Sequence, residues 1–366
     1  MKILAINPGS TSTKISVYED NKPLFVENIT VDPEVQQKTN HIIEQIDYRK
    51  KLILDFLKEK GVDLSEIKGT VGRGGLVRHL TSGVYRINDQ YVHDATIGLN
   101  GEHASNLGGI LAIEIAKEIG PDIPAFTVDP VVVNELMDIA NISGMPEIPR
   151  LGSGHPLNHK AIARQYAADH DTAYEELNLI IAHIGGGITV AAHQKGKIID
   201  QNAALDGDGP MTPERAGRVN PGALIHMCFS GKYTHDEMYA KIVGKGGIFA
   251  HLGTKDMRDV RAMIEKDKDT KATLIVNAMC YNISKDIAGC AVALGGKVDA
   301  IIMTGGVSFW KYFTDKIREF TNFLPGEFCV YAGEDEMKSL SLGAYEALID
   351  KREVKVYGPE NFVGDK

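Results

Sequence analysis

Asn7-Pro8-Gly9-Ser10-Thr11-Ser12-Thr13-Lys14 and His183-Ile184-Gly185-Gly186-Gly187-Ile188-Thr189 are short runs of glycine, amide and hydroxyl residues, each placed between apolar stretches. Glycine lets a backbone approach a ligand closely, and the N–H groups and hydroxyls of such a turn are donors suited to an anion. The two runs are loose copies, because Ile3 to Val17 returns as Leu179 to Ala191. Two such turns facing one cleft could hold a polyphosphate from both sides, which points to a nucleotide-dependent phosphotransferase. A P-loop is excluded. Its glycine-rich stretch opens a helix, whereas Ile15 and Val17 continue as a strand and no Gly-Lys-Ser/Thr ending is present. A glycine-rich turn between strands is often only a hairpin; the duplication is what favours a ligand site.

An anionic ligand needs cations, and the chain as a whole does not supply them. Its formal net charge is −9 over 366 residues, which argues against nucleic acid or an anionic membrane as the main partner. Arginine, lysine and histidine must therefore be gathered locally. Cys228, Cys280, Cys290 and Cys329 show no Cys-x-x-Cys spacing and lie in apolar or mixed runs. Buried, reduced thiols are expected, with neither zinc nor disulfides implied. The longest apolar candidate for a membrane span, Ala272 to Leu294, is interrupted by Asn277, Asn282, Ser284, Lys285 and Asp286. The N-terminus runs into a strand without a signal-peptide pattern. These features predict a soluble cytoplasmic protein.

The elements that must position the two turns alternate between strand and helix. After the first hairpin, Pro23 to Val31 reads as a third strand and Gln36 to Lys60 as a helix stopped by Gly61. A glycine-rich loop follows over Gly69 to Gly75. Gly101 to Ile119 reads as a helix and Pro124 to Val128 as a buried strand closed by Asp129-Pro130; His155 to His170 is a hinge helix into the second half. There, strands span 178 to 201 and a loop rich in Asp, Gly and Pro spans Asp206 to Pro221. Helices are predicted near 235 to 244, 255 to 266 and 270 to 294. A strand from Ala300 enters the Gly305-Gly306 turn, and a last amphipathic helix covers Glu336 to Asp350 and crosses back to the first lobe. The tail after Val354 reads as a surface extension. Antiparallel hairpins within an alternating pattern predict a mixed α/β protein. The lobes are placed at 1–154, with about 340–366 returning, and at 155–339.

Asn7-x-Gly9-Ser10-x-Ser12-x-Lys14, His183-x-Gly185-Gly186-Gly187 and Thr304-Gly305-Gly306 resemble the two phosphate motifs and the adenosine motif of the acetokinase family, the acetate and propionate kinases. Within that family the chain is most similar to butyrate kinases, through Gly72-Arg73-Gly74-Gly75, the run from Gly101 to Gly108, Val128 to Val132, Leu157 to Lys160 and Met211 to Arg215. The resemblance spans almost the whole chain. It implies two ribonuclease-H-like lobes of the actin-like ATPase fold, mixed sheets flanked by helices, with a cleft between them.

By the same resemblance, His155 of the pair His155/His159 is the active-site histidine, and Arg215 and Arg73 are the two catalytic arginines. The run around Arg73 departs from the family in having glycines where two histidines are usual. His103 matches a histidine of the phosphate region and Asp129 a catalytic aspartate that could also meet the metal. Glu336 resembles a glutamate on the metal side, with Glu334 as the alternative. ATP or ADP and Mg²⁺ are the implied cofactors, and a homodimer or larger homo-oligomer the implied assembly. Lys14 is either a phosphate contact or a solvated strand residue. The implied reaction is transfer of the γ-phosphoryl of ATP to a short-chain carboxylate. Such an acceptor is ionised already and needs no general base, unlike the alcohol of a sugar or polyol kinase. That kinase class and an actin-like ATPase without a metabolic acceptor are the alternatives.

Overall fold

The computed structural model describes residues 1–205 and 207–364; Asp206, which opens the loop expected over 206–221, and the last two residues of the tail lie outside the described residues. The chain forms two compact units, Met1–Asn134 with Pro156–Asn158 and Asp335–Lys366, and Glu135–His155 with His159–Glu334. Residues 135–154 are therefore part of the second unit, whereas the sequence reading assigned them to the first. They are held there by specific bonds: Met137 N–H donates to the Ile199 carbonyl at 2.9 Å, and Lys160 pairs with Glu135 at 2.8 Å.

Unit 1 opens with an antiparallel meander of β1 (Lys2–Pro8), β2 (Ser12–Glu19) and β3 (Lys22–Thr30). Ile3, Leu4, Ala5, Ile6, Ile15 and Val17 are fully buried along the first two strands. The single helix expected over 36–60 is instead α1 (Pro33–Lys38) and α2 (Ile46–Glu59), joined through a 3₁₀ turn at Ile42–Gln45. Thr39 ends α1 by returning its hydroxyl to the Val35 carbonyl at 3.0 Å. Where a glycine-rich loop was expected, β4 (Ile67–Gly72) runs parallel beside β1. The glycine at 72 answers a packing need, because a Cβ there would lie 2.0 Å from the Gly108 carbonyl oxygen. β5 (Val84–Arg86), α3 (Asp89–Thr96), α4 (Asn106–Ile119) and β6 (Ala125–Val128) follow, α4 starting five residues later than the sequence reading placed it.

Unit 2 holds most of α5 (Pro156–Asp169), then the meander β7 (Asn178–Ile184), β8 (Ile188–Gln194) and β9 (Lys197–Gln201). α6 (Pro221–Cys228), α7 (His235–Ile242), α8 (Gly247–Leu252), α9 (Met257–Glu265) and α10 (Thr270–Ala293) precede β10 (Ala300–Gly305), α11 (Lys311–Thr321) and β11 (Glu327–Ala332). The sheet order is β11-β10-β7-β8-β9. Val276, Met279, Cys280, Ile283 and Ile287 of α10 bury against Ile180, Ala182, Val190 and Ala192 of the sheet.

The chain then returns to unit 1. α12 (Glu336–Leu348) is capped by Asp335, which accepts from Lys338 N–H at 3.0 Å, and buries Met337, Leu340 and Ala344 with Ile3, Ala5 and Val71. β12 (Val354–Val356) pairs in parallel with β5 and completes the order β12-β5-β6-β4-β1-β2-β3. The tail is therefore no loose extension: Tyr357 is 1% exposed and its hydroxyl donates to Asp94 at 2.7 Å. In each sheet the first strand of the meander has an antiparallel partner on one side and a parallel one on the other, β4 beside β1 and β10 beside β7. The duplicated sequence thus produces two mixed sheets flanked by helices. Among the described residues all four cysteines are free; Cys280 and Cys290 are buried, Cys329 is half-buried, and Cys228, against expectation, is exposed at the end of α6. No described helix is long and apolar enough to cross a membrane.

Candidate active site

In open α/β sheets, ligands bind beyond the carboxyl ends of the strands. The parallel strands β1, β4 and β6 of unit 1 end at Pro8, Gly72 and Val128, so Asn7, Arg73 and Asp129 all fall at those ends. Asn7 Nδ2 donates to Glu336 Oε2 at 2.5 Å and Asn158 Nδ2 donates to Glu336 Oε1 at 3.1 Å. Arg73 Nη1 lies 3.1 Å from the same Oε1, with the arginine side chain 6% and the glutamate 19% exposed. One carboxylate, one guanidinium and two amides thus form a single group. The adjoining turn is closed by Gly9 N–H donating to the Ser12 carbonyl at 2.8 Å and leaves Ser10 and Thr11 exposed. Lys14 is exposed and stands opposite Asn7 in the β1–β2 register, on the same face.

Asp129 has a different setting from the one its sequence context suggested. Fully buried at φ +40°, it accepts from Ser82 Oγ at 2.5 Å and Gly83 N–H at 2.9 Å, and pairs with Arg352 at 3.2 Å. Its carboxylate fastens the β5 entry and the C-terminal segment rather than facing a ligand. A magnesium ion carried with ATP keeps several waters and takes only one or two protein carboxylates. Glu336, partly exposed at the first residue of α12, fits that need; Asp129 does not. His103 is exposed ahead of α4, its ring bonded to Ser105 Oγ at 2.9 Å.

In unit 2 the Gly185-Gly186-Gly187 turn joins β7 to β8 and is closed by Gly185 N–H donating to the Gly187 carbonyl at 3.1 Å. His183 is buried, with Nε2 3.3 Å from Glu334. Glu334 and Glu336 therefore belong to different units and different groups. The His155 ring packs 4.4 Å from that of His183 and bonds through Nδ1 to Thr189 Oγ1 at 2.8 Å. Arg215 lies against the turn: its Nη1 donates to the Ala204 carbonyl at 2.6 Å, and a Cβ on Gly187 would fall 2.4 Å from that nitrogen. Gly305, at φ +89°, meets the end of β7 so closely that a Cβ would lie 2.3 Å from the Ile184 carbonyl oxygen. Gly185, Gly186 and Gly306 line one cavity of about 520 Å³ together with Pro213, Arg258, Phe309 and Trp310.

Behind these groups runs a ladder of buried rings. His159 Nδ1 and His193 Nε2 are 3.1 Å apart with the rings stacked, and His193 Nδ1 meets the Tyr174 hydroxyl at 2.7 Å. Burial, with His183 adding to it, pushes His159 down to about 3. Burial and then His159 hold His193 well below the usual imidazole range. Both are neutral in the folded protein near pH 7. In the unfolded chain each takes up a proton near pH 6.5, so unfolding binds protons below that value and stability falls as pH drops. The expected slope is up to about 1.4 kcal/mol per pH unit per histidine. Thermal melts should be flat from pH 8 to 7 and decline from 6.5 to 5, with a shallower decline in His193→Gln; an unchanged melting temperature over that range would contradict neutral burial.

Sequence reading missed several residues that hold the site. Thr212, 3% exposed, donates its hydroxyl to the Gly186 carbonyl at 2.8 Å and accepts from Glu214 N–H at 3.2 Å and Arg215 N–H at 2.9 Å. That single oxygen ties the second turn to the arginine beside it. Asn158 and Thr189 orient Glu336 and His155. Arg49 stands behind the first turn. Asn158, Thr189 and Thr212 lie inside runs that the sequence singles out, yet their type assigns them no task there, and Arg49 lies in no such run; what each of the four does is shown only by what it bonds.

The acetokinase family model matches residues 146–313. The acetate kinase of Porphyromonas gingivalis superposes with a TM-score of 0.74 at 22% identity, over 93% of this chain and 97% of that one. A propionate kinase from Francisella tularensis gives 0.75 at 19%, over 93% and 98%. The acetate kinase of Entamoeba histolytica gives 0.74 at 16%, over 94% and 98%. Residues 146–313 thus carry the acetokinase match, including His155, the second glycine turn and Arg215, and the whole chain has the actin-like ATPase fold seen in acetate kinase.

Proposed function

We propose that the entire chain is an acetokinase-family enzyme that transfers the γ-phosphoryl group of ATP to a short-chain carboxylate, with butyrate the preferred acceptor, giving an acyl phosphate and ADP reversibly by in-line displacement. The observation that carries this reading is the state of Asp129 and Glu336, the two candidate acids of unit 1. Asp129 is buried under its donors, and Glu336 is held by Arg73 and two amides. Neither stands free as a base for an alcohol, and a carboxylate acceptor needs none.

Such an acceptor needs charge cancellation. Two unit charges 4 Å apart repel by roughly 1 kcal/mol in water and about 4 at an intermediate dielectric. Arg73 and Arg215 oppose that repulsion and stabilise the equatorial oxygens of the transferring group. His155 donates a hydrogen bond to the same oxygens, and His103 meets phosphate at the edge. Within unit 1 the turn at Asn7, Gly9, Ser10, Ser12 and Lys14 offers donors to phosphate; within unit 2 the turn at His183 and Gly185 to Gly187 does the same, and the cavity bordered by Gly306 and Phe309 accepts adenosine beside Gly305. Glu336 would hold magnesium, which supplies neutralisation of the β- and γ-phosphate charge. Water exclusion keeps the acyl phosphate from forming inorganic phosphate instead. Residues resembling butyrate kinases, such as Arg73-Gly74-Gly75, support the longer acceptor.

The test is kcat/KM for acetate, propionate, butyrate and isobutyrate, with glycerol and glucose as alcohols. At about 0.8 kcal/mol per buried methylene, butyrate should exceed acetate by roughly tenfold. A maximum at acetate would remove the butyrate assignment. Turnover of an alcohol without turnover of any carboxylate would remove the carboxylate reading and favour a sugar or polyol kinase.

A further inference from the structure

Arg49 of α2 is 0% exposed, yet no carboxylate of the described residues lies within ion-pair distance of it. Its guanidinium is spent on neutral acceptors. Nη1 donates to the Gly9 carbonyl at 2.9 Å, the Ser12 carbonyl at 3.1 Å and Thr13 Oγ1 at 2.9 Å. Nη2 donates to the Ser10 carbonyl at 3.2 Å, and both Nε and Nη2 reach Gln45 Oε1, at 3.0 and 2.8 Å. The carbonyls it takes are those of Gly9 and Ser10 in the turn between β1 and β2 and of Ser12, where β2 begins. Drawing those oxygens inward fixes the turn with its other face outward, where Ser10 and Thr11 are exposed. Burial lowers the Arg49 pKa only to about 10, so the positive charge persists at neutral pH.

A buried cation is normally matched by an anion, because an uncompensated one is costly to take out of water. We propose that Arg49 is the built-in countercharge for the nucleotide phosphates: it acts through the backbone of the first turn, as a positioning residue, and its missing partner is the bound polyphosphate. The inference rests on the kinase reading above and adds to it a residue that touches no substrate. Gln45 is the natural lever. It is 4% exposed, its Oε1 already accepts two of the guanidinium N–H groups, and Gln45→Glu would place a carboxylate on the arginine with almost no change of shape.

The expected result has opposite signs. Gln45→Glu should raise the melting temperature of the ligand-free enzyme, since it compensates the buried charge, and should raise KM for ATP by roughly tenfold, since a unit charge a few ångströms behind the turn is cancelled. KM for the carboxylate should stay within about twofold, as the first turn does not meet it. Arg49→Lys, which keeps charge and loses the fork, should shift KM for ATP less than Gln45→Glu does. A purely structural arginine would instead show stability and ATP affinity moving together. A folded Gln45→Glu enzyme with unchanged KM for ATP overturns the inference, as does one that is less stable and binds ATP normally. The stabilisation of the protein by ADP in thermal melts, compared between wild type and Gln45→Glu, reads the charge independently of turnover. If wild type phosphorylates no carboxylate, the kinase reading fails while this comparison still decides the role of Arg49.

Discussion

Arg215→Ala should lower kcat by about two to three powers of ten and leave the fold intact. Removing one preorganised charged donor from a transferring group costs on that scale in other electrostatically catalysed reactions. In this protein the guanidinium is held by its bond to the Ala204 carbonyl at 2.6 Å, and its backbone N–H by Thr212 Oγ1 at 2.9 Å. The backbone bond survives in the alanine variant, so the loop keeps its course and the deficit falls on the chemical step. Arg215→Lys should recover only part of the rate, because a single ammonium cannot bond the Ala204 carbonyl and address a planar oxygen set together. The comparison is made by steady-state kinetics with ATP and butyrate, alongside thermal melts. Near-normal turnover of a folded Arg215→Ala enzyme would remove this residue from the chemistry.

Gly187→Ala tests the same arginine without deleting it. A Cβ at 187 would lie 2.4 Å from Arg215 Nη1 and 3.2 Å from Cζ. The obstructed atoms are the far end of a flexible side chain, and the backbone at 187 needs no left-handed conformation, so the fold can absorb the methyl by moving the guanidinium. Turnover should fall roughly 10- to 100-fold, as small displacements of positioned groups do. The melting temperature should change by no more than about 2–4 °C, the equivalent of 1 kcal/mol. Gly186→Ala is the comparison: its nearest neighbour, Glu214 Oε1, is 3.7 Å away, so the arginine keeps its place, kcat should fall less than in Gly187→Ala, and any loss should appear in KM for ATP. Equal effects of the two substitutions would mean that the methyl group disturbs phosphate binding and not the arginine.

Much of the frame was legible because it is local. Two hairpins with small-residue turns announce themselves by alternation and by repetition, and the helices over 270–293 and 336–348 by period and caps. The misreadings arose where tertiary packing decides. Gly69 and Gly72 look like loop residues, yet they form a strand because α4 packs directly on Gly72. β12 carries too few residues to be recognised alone and exists because β5 offers an edge. Asp129 before a proline reads by itself as a turn residue and by the family resemblance as a catalytic aspartate, and only its Ser82, Gly83 and Arg352 partners show how fully it is engaged. Glu334 and Glu336 differ by two positions, and nothing local separates them; the structure does, by giving one to His183 and the other to Arg73. Arg49 was invisible, and Thr212, though it sits in a recognisable run, showed no role there, since a long-range hydrogen bond leaves no periodicity.

Hydroxylamine trapping with ADP measured in parallel addresses the central claim most directly. Purified enzyme with ATP, Mg²⁺ and butyrate should form butyrohydroxamate and ADP in equal amounts, and neither product in quantity when butyrate is left out. ADP released at the same rate without a carboxylate, with no hydroxamate formed when butyrate is added, would contradict the account and point to an ATPase that has no carboxylate acceptor.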